Sequence, residues 1–478
     1  MSSKALCFTV ALLSAGVAYA QLDVGSDGSD GVFAPGTDLE VDLGLATTAA
    51  WDTPSPQPGN GVYDPDQWAV VFKYSSVSIP AGVTVTFKNH PSRAPVIWLV
   101  DGIATIDGTI NLNGASGHTP SAAHSPSEPG PGGFRGGRAR DTSSGRSGGL
   151  GPGGGDLGTD GNGSGGSYAT QGSGDAAGPA YGNVAILPLI GGSGGAGANS
   201  ASAGNGGGAG GGAILIAADG SISLGGTGTI LARGGYSGGQ SLWSEAGGGG
   251  SGGGIRLVAD QITLDGALRA ERGGGGRPGG DGRIRVEGNA VTFADPGDPQ
   301  LVQDLPGFIF PPSTAPRLWA TTLDAQAVPG DPRGAINDAF GTDVVLDTID
   351  PVMLEIQAEY VPLGTVVEVR VVSKSGPTTV YSSNPLAGAL ESSTAAAQVQ
   401  FEPGFSLVQL RAFFDPIPIE SGPEAIQTQS MKLPKRPQEL RALNGERIER
   451  VIMASVGRQT QLVYVTAKGR KIPVGARW

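Results

Sequence analysis

The sequence predicts an all-β chain: a parallel β-helix carrying long glycine-rich loops, followed by a C-terminal β-sandwich. Three observations predict it. The first is a repeat. Ile255–Asp260, Gln261–Gly266 and Ala267–Ala270 are three short alternating segments split by tight turns, and Ile214–Asp219, Ser221–Leu224 and Thr229–Ala232 say the same thing upstream. An earlier copy sits at Val96–Asp101, Ile103–Gly108 and Thr109–Leu112, and a truncated one starts at Arg283–Val286. Such units bury no core alone; stacked, they share one. The second is register. Aligning Ile214 with Ile255 places Asp219 on Asp260, and a small slip at the turn then pairs Ile222 with Ile262, Leu224 with Leu264 and Ile230 with Leu268. Inward positions stack like on like at period two, and outward ones such as Arg256, Thr263 and Arg269 are polar. The third is a change of texture. After Pro296 the glycine runs stop and longer alternating strands begin.

Composition bounds the classes. Of 84 glycines, about two thirds fall between Gly130 and Gly282, without a Gly-X-Y period, so collagen is excluded. The β-patterned interruptions argue for ordered structure with long loops rather than for a disordered tract. A net charge of −12 disfavours nucleic acid as a partner.

In order along the chain, Met1–Ala20 reads as a secretory signal. Lys4 is the positive end, Ala5–Val17 the apolar run, and Ala18-Tyr19-Ala20 the cleavage site before Gln21. That run is short for a membrane span, and no later segment is long and apolar enough to make one. Cys7, the sole cysteine, lies inside the signal, so the processed chain is expected to hold no thiol. Export predicts a secreted or outer-surface location.

Residues 21–92 read as an N-terminal cap with the first strands, because a stack end exposes core and unpaired edges. Asp23, Asp27 and Asp30 crowd one short glycine-containing stretch. Calcium takes loop carboxylates of this kind, though the spacing is not that of an EF-hand. The competing reading is a pair of Asx turns with glycine at left-handed positions. Residues 93–294 are the glycine-rich stack. Its 117–212 stretch holds His118, His124, Arg135, Arg138, Arg140, Arg146 and Tyr168, and reads either as contact loops or as spacer, since long loops cost little extra to close. Residues 295–316 are proline-rich and read as a linker. Residues 317–416 carry regularly spaced strands separated by Pro362-Leu363-Gly364 and Pro403-Gly404, the pattern of a β-sandwich. Residues 417–478 form a basic extension. From Met431 on there are eleven Lys/Arg and three Glu, about +8. Glu446–Met453 and Gln461–Thr466 are expected to pair as a hairpin through Val456-Gly457-Arg458. A basic end on an acidic body suits an acidic surface polysaccharide, other envelope components, or a second copy of the chain.

Catalytic motifs are few. The three histidines, His90, His118 and His124, lack metal-ligand spacing. No Gly-x-Ser-x-Gly elbow or phosphate loop opens a helix. Asp219 and Asp260 would stack at one corner, with Asp101 in line and Arg233 and Arg269 nearby. Polysaccharide lyases and hydrolases on β-helices use such outer-face carboxylates with an arginine base or as an acid/base pair. Asp219, Asp260 and Arg269 are therefore the candidate catalytic set. The bland reading is that stacked aspartates hold backbone amides at the turns.

Asp23–Phe33, Ile79–Phe87, Ile103–Gly114 and Gly130–Gly137 together resemble a group of glycine-rich bacterial exported proteins. These are similar to the wider class of right-handed parallel β-helix surface proteins and adhesins. The resemblance covers about Asp23–Val286 and implies a right-handed scaffold without assigning site residues. Val366–Phe414 is similar to immunoglobulin-like or fibronectin-like modules. The expected function is a secreted or cell-surface structural, adhesive protein without chemistry and without a required cofactor. The alternatives are a carbohydrate-active β-helix enzyme and a non-catalytic glycan-binding protein. The exposed aromatics for the last would come from Trp243, Tyr236, Tyr168 and Tyr181.

Overall fold

The computed structural model describes residues 22–118, 125–139, 146–198, 205–238, 246–334, 342–374 and 378–414, with the backbone of three strands in 448–473. Met1–Gln21, the expected signal, lies outside the described residues, as do His124, Arg140 and Trp243. Among the described residues the protein is nearly all β, with one 3-10 turn at Leu43–Leu45 and no α-helix. No helix is long and apolar enough to cross a membrane. The chain forms two units, Asp23–Pro418 and a second made of Met1–Leu22 with Ile419–Trp478.

In the larger unit, repeated segments lie side by side. Ala69–Ile79, Val96–Val100, Ala213–Leu224, Gly254–Leu264, Arg283–Glu287 and Val302–Asp304 are successive neighbours, each pair parallel. The sheet is mixed, because Val62–Asp64 joins antiparallel to Ala69–Ile79. A second sheet runs Leu39–Asp42, Thr84–Lys88, Thr109–Asn111, Thr229–Leu231, Ala267–Arg269, all parallel. The register read from sequence holds residue for residue. Ile214 faces Ile255, Ile222 faces Ile262, Leu224 faces Leu264 and Ile230 faces Leu268, with the slip between Ala218 and Ser221. All of these side chains sit in one buried cluster. Each such aliphatic removes enough apolar area from water to stabilise the fold by about 1.5–3 kcal/mol.

The glycine-rich runs are a second packed layer, built mainly from backbone. Gly206, Ala209 and Gly212 donate their N–H groups to the carbonyls of His118, Ala115 and Leu112. Gly207 and Gly210 donate to Gly137 and Phe134; Gly208 and Gly211 donate to Gly248 and Ser251. The next run behaves alike. Gly248 and Ser251 donate to Ala196 and Ser193, Gly249 and Gly252 to Arg277 and Gly280, Gly250 and Gly253 to Gly235 and Ala232. The partner changes at every residue and returns at every third. That is the repeat of an extended three-fold helix, which makes no internal hydrogen bonds and so offers each amide to a neighbour.

This packing leaves no room for a side chain at the interior positions. A methyl group on Gly210 would lie 1.8 Å from the Gly192 oxygen, and one on Gly253 1.8 Å from the Gly212 oxygen. A bond of about 1.5 Å then puts each Cα within about 3.3 Å of that oxygen, the reach of a Cα–H···O contact. Where one small side chain fits, serine hydroxyls join the network. Ser127 donates to the Gly207 carbonyl at 2.7 Å, and the buried Ser251 hydroxyl accepts the Ser193 N–H at 2.8 Å.

Residues 295–316, expected as a free linker, are strapped to the body. Val302–Asp304 adds a strand to the larger sheet. Arg256, expected outward and polar, is 2% exposed beneath the segment that follows. Its guanidinium bonds Glu287 at 3.0 Å through two nitrogens and donates to the Phe308 carbonyl at 2.6 Å and the Ile309 carbonyl at 3.4 Å, while the Gly307 N–H donates to Glu287 at 2.8 Å. A buried ion pair is tolerated only when its remaining donors and acceptors are met, and the strap meets them.

Arg317–Leu323, Val352–Glu359 and Ser392–Val399, with the short Gln326–Ala327 and Ala387–Ala389, form one antiparallel sheet. Thr378–Pro385, Val366–Ser373 and Ser406–Ala412 form another. Leu354, Ile356 and Ala397 of the first share a core with Val367 and Val369 of the second, which makes a β-sandwich. The smaller sheet abuts the glycine layer. Buried Arg370 donates to the carbonyls of Gly149 at 2.8 Å and Gly155 at 3.3 Å, and Arg411 donates to that of Pro152 at 2.7 Å. Burial pushes the Arg370 guanidinium down to about 10, against the pull of Asp156.

In the second unit, Ile448–Val456 and Gln459–Thr466 pair antiparallel, and Lys471–Pro473 adds a third strand; the expected Gly457-Arg458 connection lies outside the described residues.

Candidate functional site

The carboxylate row lies where the parallel register puts it. Val100 faces Ala218 and Ala218 faces Ala259, so Asp101, Asp219 and Asp260 follow in line at the same bend. Asp219 and Asp260 each have a structural partner. The Val24 N–H donates to Asp219 at 2.6 Å, fastening the N-terminal arm, and the Asn289 amide donates to Asp260 at 2.6 Å. Burial first, then the nearby Asp23 and Asp101 charges, push the Asp219 carboxyl up to about 6, although the Val24 N–H pulls the other way. Arg269 is elsewhere. It stands on the second sheet, 2.6 Å from Asp295 and 3.9 Å from Glu271. Among the described residues, no hydrogen bond or ion pair joins Asp219 or Asp260 to an arginine. The structure therefore brings the aspartates into line but not the expected arginine base.

The three aspartates weighed for calcium hold separate backbone amides. Asp23 accepts the Gly25 N–H at 2.9 Å, and Asp27 accepts the Ser29 N–H at 3.0 Å while lying 3.4 Å from the Lys73 ammonium. Asp30, nearly buried, accepts from Gly59 and Gly61 at 3.0 Å each and from the Lys73 N–H at 2.7 Å. Gly25 and Gly28 have φ of 76° and 66°, the left-handed values that Asx turns with glycine require. Among the described residues, no three His, Cys, Asp or Glu side chains are placed to hold a metal ion. The arm Asp23–Phe33 is thus a backbone clamp, its last three residues, Gly31–Phe33, pairing parallel with Ala69–Ile79.

The remaining singled-out residues separate by environment. His90 stacks on Tyr63 at 4.1 Å between ring centres, and burial lowers its pKa. Arg135 bonds Glu128, and Arg93 approaches the same carboxylate at 3.4 Å. Tyr168 is fully buried. Tyr181 is half-buried, packs on Tyr168 at 4.8 Å between ring centres and donates to the Gly191 carbonyl at 2.5 Å. Tyr236 is 53% exposed.

One end of the glycine layer gathers chain segments that lie far apart in sequence. The Gly206 N–H donates to the His118 carbonyl, Gly238 to Gly206, Gly207 to Gly137, Ser147 to Arg138, Gly197 to Ser147, and Ala198 to Asn205. His118, Arg138, Ser147, Ala198, Asn205 and Gly238 therefore lie side by side. Segments 119–124, 140–145, 199–204 and 239–245, which leave from these residues, are outside the described residues.

No known protein family, curated protein or solved structure matches this chain.

Proposed function

We propose that this is an exported structural and adhesive protein of the cell surface, whose contact surface is the far end of its glycine layer. In this reading the parallel sheets wind as a right-handed β-helix. The N-terminal clamp closes one end of the stack, and the sandwich is an immunoglobulin-like or fibronectin-like module braced against the glycine runs. The observation that carries the proposal is the side-by-side arrangement of His118, Arg138, Ser147, Ala198, Asn205 and Gly238. A layer fixed by backbone hydrogen bonds holds these residues rigidly, and a contact surface works best when a rigid scaffold positions it. Polysaccharide cleavage is the weaker reading, because Asp219 and Arg269 are committed to separate partners.

The test is attachment. Cells lacking the gene are expected to lose surface adhesion, and cells carrying the chain with segments 119–124, 140–145, 199–204 and 239–245 replaced by Gly-Ser linkers are expected to lose it equally. Normal attachment by both strains overturns the proposal.

A further inference from the structure

A second candidate surface lies on the flank of the glycine layer. The strand Thr229–Leu231 turns alternate residues outward, so Thr229, Leu231 and Arg233 share one face at period two. The chain then enters a glycine run, and the period becomes three. Tyr236, three residues beyond Arg233, falls on that same outer face.

Neighbouring runs hold it there. The Gly117 N–H donates to the Tyr236 carbonyl, the Ser237 N–H to Gly274, and the Gly235 N–H to Ala209. The ring rests on a glycine floor: a methyl group on Gly274 would meet Tyr236 Cε1 at 2.6 Å. Tyr236 is therefore supported from below by backbone and is 53% exposed. Beside it runs a polar row. Asn113 accepts the Arg233 N–H at 2.7 Å, and Arg233 makes two bonds to Glu271, at 2.7 and 3.0 Å.

We propose that this face is a glycan-binding subsite, with Tyr236 as the stacking platform and Asn113, Arg233 and Glu271 as the flanking hydrogen-bonding groups. The proposal rests on the adhesive reading and names a ligand class for it. An aromatic ring on a fixed backbone offers a large apolar face at little conformational cost, with a hydroxyl at its edge. The C–H face of a pyranose matches that surface, and its ring hydroxyls match the row beside it. The local charge points to a neutral sugar. Arg233 is held by Glu271, Arg269 by Asp295 and Arg272 by Asp281, so each guanidinium is already met by a carboxylate. A nucleic acid would need excess positive charge, which this face lacks.

The test uses the full-length exported protein and calorimetric titration with hexasaccharides of neutral β-1,4-linked glucan, mannan and galactan, and with a polyuronate as the charged comparison. One neutral hexasaccharide is expected to bind. Tyr236→Ala is expected to weaken it by about ten-fold or more, and Tyr236→Trp to keep it within about three-fold, at an unchanged melting temperature. Equal affinity of wild type and Tyr236→Ala, preference for the polyuronate, or no binding of any neutral probe overturns the subsite. The adhesive reading is decided separately by the attachment of the deletion strain.

Discussion

The aliphatic column and the glycine layer are continuous in the chain and opposite in physics. Ile214, Ile255 and Leu257 contribute side chains, and their segments are held by burial of those side chains. Gly210 and Gly253, a few residues away, contribute nothing but backbone, and their runs are held by hydrogen bonds that turn to a different neighbour at each residue. In the column the harmful change is removal of carbon, which leaves a cavity. In the layer the harmful change is its addition, because each Cα already touches a carbonyl oxygen. The glycines lose more chain entropy on folding than any other residue, and a dense web of backbone bonds, each worth about 1 kcal/mol net, offsets that loss.

The sharpest break in this comparison is a single methyl group. Gly210→Ala is expected to abolish folding, a loss above about 4 kcal/mol, whereas Gly226→Ala, where nothing lies within 4 Å of the added carbon, is expected to change stability by less than about 0.5 kcal/mol. Denaturant melts of the two variants check this. Equal melts would mean that the runs are loosely packed.

Next is the strap. Glu287→Ala leaves Arg256 and Arg285 buried or nearly so without their shared carboxylate and is expected to cost about 3–5 kcal/mol. Burial raises the Glu287 pKa, but Arg256 and then Arg285 outweigh it and hold it below the ordinary value. That contribution is present above the unfolded pKa and is lost as pH falls through the folded one, so the variant's deficit is expected to shrink in strong acid.

The column itself comes third. Ile255→Ala is expected to cost about 2–5 kcal/mol and Ile255→Val about 0.5–1.5 kcal/mol, with graded losses in place of the all-or-none response of the layer.

The smallest effect is at the bend. The Asp219 carboxyl titrates at about 6 in the folded protein, above its ordinary 3.8, so the folded state holds its proton more tightly and stability falls as pH rises from about 4 to 6. Asp219→Asn, which keeps an acceptor for the Val24 N–H, is expected to flatten that slope and to be more stable than wild type at pH 7 by about 1 kcal/mol, a figure reduced for solvent screening. Urea melts across this pH range check the sign.

The column was legible because Ile and Leu recur at period two and in register across copies; even the slip after Ala218 is placed correctly. The layer was illegible for a physical reason. A three-fold run surrounded on all sides leaves room only for an occasional small side chain such as Ala209, so Gly206–Gly212 shows no Gly-X-Y rhythm and reads as loop. Only flanking runs, such as the one carrying Arg233 and Tyr236, keep a residue at every third position. The strap escaped notice because prolines in 295–316 signal a linker locally, and because nothing in a single strand reveals that an outward Arg256 will be covered. At the candidate site, the alignment of Asp219 and Asp260 followed from register. The place of Arg269 did not, since a short turn carries the chain from one sheet to another.

Amide hydrogen exchange at the glycines tests the central claim most directly. If the runs form a backbone-bonded layer, Gly206–Gly212 and Gly248–Gly253 exchange as slowly as Ile214–Ala218 in the column. Exchange of those glycine amides at the rate of an unstructured chain, with the column still protected, would contradict it.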